Sequence, residues 1–168
     1  MALSMYQTSV PLILQMLKSI DAVLDKAAAS CEERKIDPAV LTGYRLAPDM
    51  LPLSAQIQIM TDQAKGAAAR LAGIDIPSYA DTEKTIPELK ARIAKTAAFV
   101  KSVTPEQVNG AEDREIKLKL ADNDVTLKGS QYFFHFFVPN FYFHAATAYD
   151  IIRHCGVPIG KRDFIGSI

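Results

Sequence analysis

Gln131–Gly156, QYFFHFFVPNFYFHAATAYDIIRHCG, decides how this chain is read. The stretch holds six of the eight Phe residues, Tyr132, Tyr142 and Tyr149, and all three His. Helical rows at i, i+3, i+4 and i+7 put Phe133, Phe137, Asn140, His144, Thr147 and Ile151 on one side. Phe134, Phe141, Ala145, Ala148 and Ile152 fall on a neighbouring side. A helix that is apolar nearly all round must be covered nearly all round. It is therefore central in a bundle or shared with a second subunit. It is not a membrane span, because Pro139, Asn140, His135 and His144 break the apolar runs well short of the roughly 20 residues required. Pro139 removes a backbone donor and predicts a kink or the start of a new segment. Gly156 suits a left-handed C-terminal cap, Val157 folds back on the last turn, and Pro158 blocks continuation. Arg153 and His154 complement the negative end of the helix dipole.

Working outward, the remainder supplies three partner helices. Val10, Ile13, Leu14, Leu17, Ile20, Leu24, Ala27, Ala28 and Cys31 recur at helical spacing across about Ser4–Arg34, with Pro11 placing the regular part from near Ser9, an acceptable N-cap. Residues 36–52 form a connection with a short turn around Pro38–Leu41. The second helix spans about Leu51–Ala72, with Leu53, Ile57, Met60, Ala64, Ala67 and Leu71 on one stripe and Gly73 closing it. Thr85 and Glu88 form a capping box that opens a third helix ending near Ser102. Thr104–Gln107 is one further capped turn. Between Glu115 and Leu127 the period switches to two, predicting a β-hairpin that turns at Asp122–Asp124. The tail beyond Gly156 packs back through Ile159, Phe164 and Ile165. The expected architecture is mainly all-α, a single-domain four-helix bundle over residues 1–168 with a small hairpin before the last helix.

Composition narrows the function classes. Lys and Arg balance Asp and Glu at 19 each, which gives no global field for nucleic acid or an anionic membrane. No secretory signal pattern opens the chain. Two distant cysteines, Cys31 and Cys155, with no C-x-x-C, fit a reduced cytoplasmic protein. No phosphate loop, nucleotide fingerprint, Ser-His-Asp order or zinc-finger spacing occurs.

The segments LSMYQTSVP, LAPDMLPLSAQIQIMTDQAKGAAARLAG, ELKARIAKT and FFVPNFYFHAATAYDIIRHCGVPIGKRDF together resemble a bacterial domain-of-unknown-function family within the DinB/YfiT-like superfamily of four-helix bundles. The resemblance covers almost the whole chain. It implies an up-and-down bundle, often dimeric, from a group regarded as metalloenzymes that includes metal-dependent thiol transferases and a thiol-dependent isomerase. The superfamily's usual metal site is three His, one from the second helix and two spaced by four on the last. Setting Gly156 on the family's terminal Gly places His144 on the second of the two and Asn140 on the first, where the pattern departs. No His lies near the start of the second helix, and Asp49, Gln56 and Asp62 are the nearest substitutes.

Asn140 and His144, at i and i+4, share one helix face. Such a polar pair in an aromatic row is costly unless satisfied. One reading is a degenerate site for a divalent metal (Zn, Ni or Fe) with His144, Asn140 and a carboxylate such as Asp49 as ligands. A second is a metal-free ligand pocket. A third is that the two side chains bond each other and the backbone freed by Pro139. Tyr142 and Tyr149, seven apart, line a polar cleft or present hydroxyls at a subunit boundary. His135 is expected to be a satisfied, partly buried histidine, and His154 a capping residue. Lys161, Arg162 and Asp163 form either an anion clamp or a solvated tail. Asp21 and Asp25 are expected on the surface.

Three function classes follow. The first is small-molecule, thiol-linked transfer chemistry in a cleft between the second and last helices. The second is a non-catalytic binding protein that retains the bundle and has lost the metal. The third is a structural homodimer built by the aromatic helix, whose apolar surface exceeds what three shorter partners can cover.

Overall fold

A computed structural model describes residues 3–120 and 122–167. The elements run α1 (Met5–Arg34), α2 (Pro38–Thr42), α3 (Leu53–Ala72), α4 (Ile86–Ser102), α5 (Pro105–Val108), β1 (Glu115–Leu120) and β2 (Asn123–Lys128). They end with α6 (Gly129–Gln131), a π-helical stretch (Tyr132–Phe137), α7 (Val138–His154) and α8 (Lys161–Ile165). Four long helices thus form a bundle with one hairpin before the last of them. α7 packs most extensively on α3, α3 also lies along α4, and α4 lies along α1. No helix among the described residues is long and apolar enough to cross a membrane.

Local chemistry explains the element ends. α1 starts at Met5 rather than near Ser9, because Ser4 and Gln7 form a reciprocal capping box and Pro11 is accommodated inside the helix. Ser9 instead lies buried, its hydroxyl donating to the Met5 carbonyl at 2.7 Å. Thr85 and Glu88 cap α4 as expected. The hairpin pairs Ile116 with Leu127 and Leu118 with Val125. Ile116 and Leu118 are buried against the bundle, which a marginal two-stranded sheet needs. Asn123 and Asp124 already belong to β2, so the turn is tighter than the sequence suggests.

The aromatic segment departs from a plain α-helix. In the π-helical stretch each turn takes about one more residue than an α-turn. The faces therefore rotate relative to 3.6-residue rows. Phe133, Phe137 and Phe141 form one buried ladder, with ring centroids 5.2 and 5.1 Å apart, while Phe134 turns outward. His135 is exposed, not partly buried as the α-helical rows imply. Regular α-geometry resumes at Val138, and Pro139, which lacks a donor, falls where the π-type hydrogen-bond pattern gives way to the α-type one. At the other end Gly156 adopts φ 86° and Val157 N–H returns to the Ile152 carbonyl at 3.4 Å.

The tail packs back on α1. Asp163 accepts from Gly160 N–H at 2.8 Å and from Lys26 Nζ at 2.6 Å, and Phe164 meets Tyr149 edge-on. Asp21 and Asp25 are not idle surface groups, since both take Lys90 of α4, at 2.9 and 2.7 Å.

Candidate functional site

His144 sits on the face of α7 that meets α3, half-buried. Its Nδ1 lies 2.7 Å from Gln56 Oε1, a side chain in the first turn of α3 that is 2 % exposed. Gln56 Nε2 in turn donates to the Leu51 carbonyl at 3.1 Å. Of the three substitutes for a second-helix histidine, it is Gln56 that reaches the imidazole. Asn140 is half-buried one turn before His144 and does not bond it, so the expected Asn140–His144 hydrogen bond gives way to a bond between helices. Asp49 is exposed on the connection before α3.

Burial pulls the His144 pKa below its ordinary value, so the ring is neutral near pH 7. Its Nε2 makes no hydrogen bond among the described residues, and no side-chain nitrogen or oxygen there is buried without a partner. Nε2 is therefore open to solvent. Tyr142 is half-buried, and burial pushes its phenol up. Tyr149 lies half-buried beside the tail. His154, exposed, bonds the Tyr44 hydroxyl through Nε2 at 3.1 Å instead of capping its helix.

A Zn, Ni or Fe centre needs three or four donors, drawn from imidazole, thiolate or carboxylate. Among the described residues no group of three His, Cys, Asp or Glu could hold a metal ion. Here one imidazole has its Nδ1 engaged by an amide, and the neighbouring Asn140 offers a neutral amide of low affinity. This donor set does not fit the tris-His centre. Cys31 and Cys155 are both free thiols, and burial raises the pKa of each.

A second polar cluster escaped the sequence. Arg92 of α4, only 3 % exposed, donates Nε to Thr61 and Nη1 to the Ala80 carbonyl and Glu83, and its Nη2 pairs with Asp62 and Asp81. Tyr79 covers it, with Lys95 Nζ 4.0 Å from the ring centroid. A cavity of about 420 Å³ opens beside this cluster, and another of about 440 Å³ lies between α1 and α4 around Leu14, Ile93 and Ala97. A signal for Arg92 was present: it occupies the same stripe as Leu89, Ile93 and Thr96, at spacings of three and four. Its acceptors, spread over α3 and a loop, carry no local pattern. The cluster is fully paired and reads as a strap that pins residues 79–83 across α3 and α4.

The four-helix bundle with its hairpin before the last long helix is a DinB-like fold. The chain belongs to the family described as domain of unknown function DUF1993, whose model matches residues 5–165. It is similar in structure to a DinB family member protein from Shewanella denitrificans, at 36% identity, covering 97% of this chain and 92% of that one, with a TM-score of 0.88. No curated protein matches the chain at a significant level.

Proposed function

We propose that the chain binds a small molecule at His144, where α7 meets α3, for transfer chemistry of the thiol-linked kind that the DinB-like resemblance implies. One observation carries this reading: a neutral imidazole is tied across two helices by Gln56 at 2.7 Å, while its other nitrogen stays open to solvent. A neutral imidazole with a free nitrogen can accept a proton from a thiol, and the thiolate, not the thiol, is the nucleophile. Cytoplasmic placement suits a protein whose two thiols are unpaired.

The test is metal content by mass spectrometry on untagged protein purified without a nickel column, alongside NMR of the His144 ring during titration with 2-mercaptoethanol, both repeated in His144→Ala. The expected result is no stoichiometric metal and a His144 shift on adding thiol. Near-stoichiometric Zn, Ni or Fe that disappears in the variant would replace this reading with a metal site at His144, Asn140 and Asp49. Neither metal nor shift would leave His144 as a pin between helices and reject the proposal.

A second reading is a homodimer. Phe134 and Phe143 are 50% and 56% exposed on different faces of the aromatic helix, and each leaves a ring free for a partner surface.

A further inference from the structure

We infer that Gln56 is a positioning residue that fixes which His144 nitrogen is basic, and so favours ligands that donate a hydrogen bond over anions that cannot. This rests on the binding role given to His144 above. The argument begins at the Leu51 carbonyl, which can only accept. Gln56 must therefore turn its NH₂ toward Leu51, at 3.1 Å, and its carbonyl oxygen toward His144. That oxygen also can only accept, so the 2.7 Å contact requires a hydrogen on Nδ1. A neutral imidazole carries one N–H. The lone pair is then on Nε2, the nitrogen open to solvent.

Burial fixes this relay in place. Gln56 is 2 % exposed, so no water is at hand to satisfy its amide if it reverses. Reversal would also set two acceptors against each other at Leu51 and force Nδ1 to give up its proton, leaving a donor at Nε2. The polarity of the site is thus written at Leu51, two hydrogen bonds away from the ligand.

The chemical consequence is selective. A lone pair at Nε2 accepts from O–H, N–H or S–H groups. A carboxylate has no hydrogen to give, so it is held only if the ring first takes a proton, which burial disfavours. Alcohols, amines, amides and thiols can donate to it directly, whereas a carboxylate must wait for the ring to be protonated.

The experiment is a two-bond ¹H–¹⁵N correlation spectrum of the full chain, with the His144 signals assigned by their loss in His144→Ala. The expected pattern is a protonated Nδ1 and a pyridine-type Nε2. Gln56→Glu should keep that tautomer and raise the His144 titration midpoint by about 1 unit or more, since an anion now faces Nδ1–H. Gln56→Leu should lose the fixed pattern. Titration with 2-mercaptoethanol should shift the ring and acetate should not. A protonated Nε2 in the unsubstituted protein, or an unchanged pattern in Gln56→Leu, overturns the role given to Gln56. The expected tautomer with acetate shifting the ring more than 2-mercaptoethanol overturns the ligand class alone. The expected tautomer with neither probe shifting the ring overturns the binding role of His144 and the ligand class with it, while the positioning by Gln56 stands.

Discussion

Arg92 Nε donates to Thr61 Oγ1 at 2.7 Å, so a fully buried guanidinium of α4 is anchored in the middle of α3. The same side chain holds the loop through the Ala80 carbonyl and Glu83. The strap therefore ties a loop with no apolar stripe of its own to two helices that already pack together.

Replacing Arg92 with Met keeps the volume and removes every one of these bonds. Removing one partner of a buried ion pair costs about 3–5 kcal/mol when the other is left dry. Asp62 and Asp81 reach solvent and can rehydrate, whereas Glu83 is largely covered. The expected loss is about 2–3 kcal/mol, read as a lower urea midpoint. Arg92→Lys should recover less than half, because a single ammonium cannot fork to Thr61, Glu83 and Asp62 together. Full stability in Arg92→Met would remove the strap as a stabilising element.

Glu83 gives this strap a pH signature. Burial pushes its carboxyl up, but its own backbone N–H, the Gln58 amide and Arg92 outweigh that and hold it below the usual glutamate value. A carboxyl depressed in the folded state stabilises above its unfolded pKa, and that contribution is lost as pH falls through the folded value. The stability gap between the unsubstituted protein and Glu83→Gln should be constant near neutrality. It should close between the ordinary glutamate value and the lower folded one. Urea midpoints measured in parallel across that window check this. A gap unchanged at the acid end contradicts the assignment.

Gly129 offers a steric test. It joins β2 to the aromatic helix, and a Cβ there would overlap the backbone oxygen of Ala111. Ala111 is fully buried, so that backbone has little room to move. Alanine would gain up to about 1 kcal/mol of helix propensity, against about 1–3 kcal/mol or more for overpacking. The clash should win, and Gly129→Ala should unfold at lower urea. Gly160→Ala is the control: a Cβ there meets nothing within 4 Å, and its φ of −143° suits any residue. Equal effects in the two variants would refute the steric account.

Much of this bundle is legible in the chain because its information is local. The stripe from Leu53 to Leu71, the Thr85–Glu88 box and the alternation of Ile116 and Leu118 each declare an element within a few residues. What was hidden depends on partners far away in sequence. Gln56 and His144 are 88 residues apart, and nothing near either names the other. Arg92 is charged, and a charge on a stripe of helical spacing resembles a rim residue until its acceptors are known. The π-helical stretch was hidden for another reason: with aromatics on every side, hydrophobic period cannot distinguish one helical pitch from another. That ambiguity misplaced His135 and Phe134.

Phe134 and Phe143 provide the test of the homodimer. Each exposes half or more of its surface, while Phe133, Phe137 and Phe141 beside them are fully buried. The outward rings are thus not needed to fill the core, and Ser at both positions should change urea stability by no more than about 0.5 kcal/mol per site. If one of these rings joins two copies about a twofold axis, it is lost twice in the pair, and an aromatic anchor at an interface centre is worth about 2 kcal/mol or more each time. The double variant should then weaken association by several orders of magnitude at unchanged fold. Sedimentation equilibrium should give twice the chain mass for the unsubstituted protein at micromolar concentration and the chain mass for the variant. A monomer in both cases would leave Phe143, whose ring stands edge-on 5.2 Å from that of His144, as a neighbour of the proposed ligand instead. Phe143→Ser alone should then reduce the His144 response to thiol without altering the state of assembly.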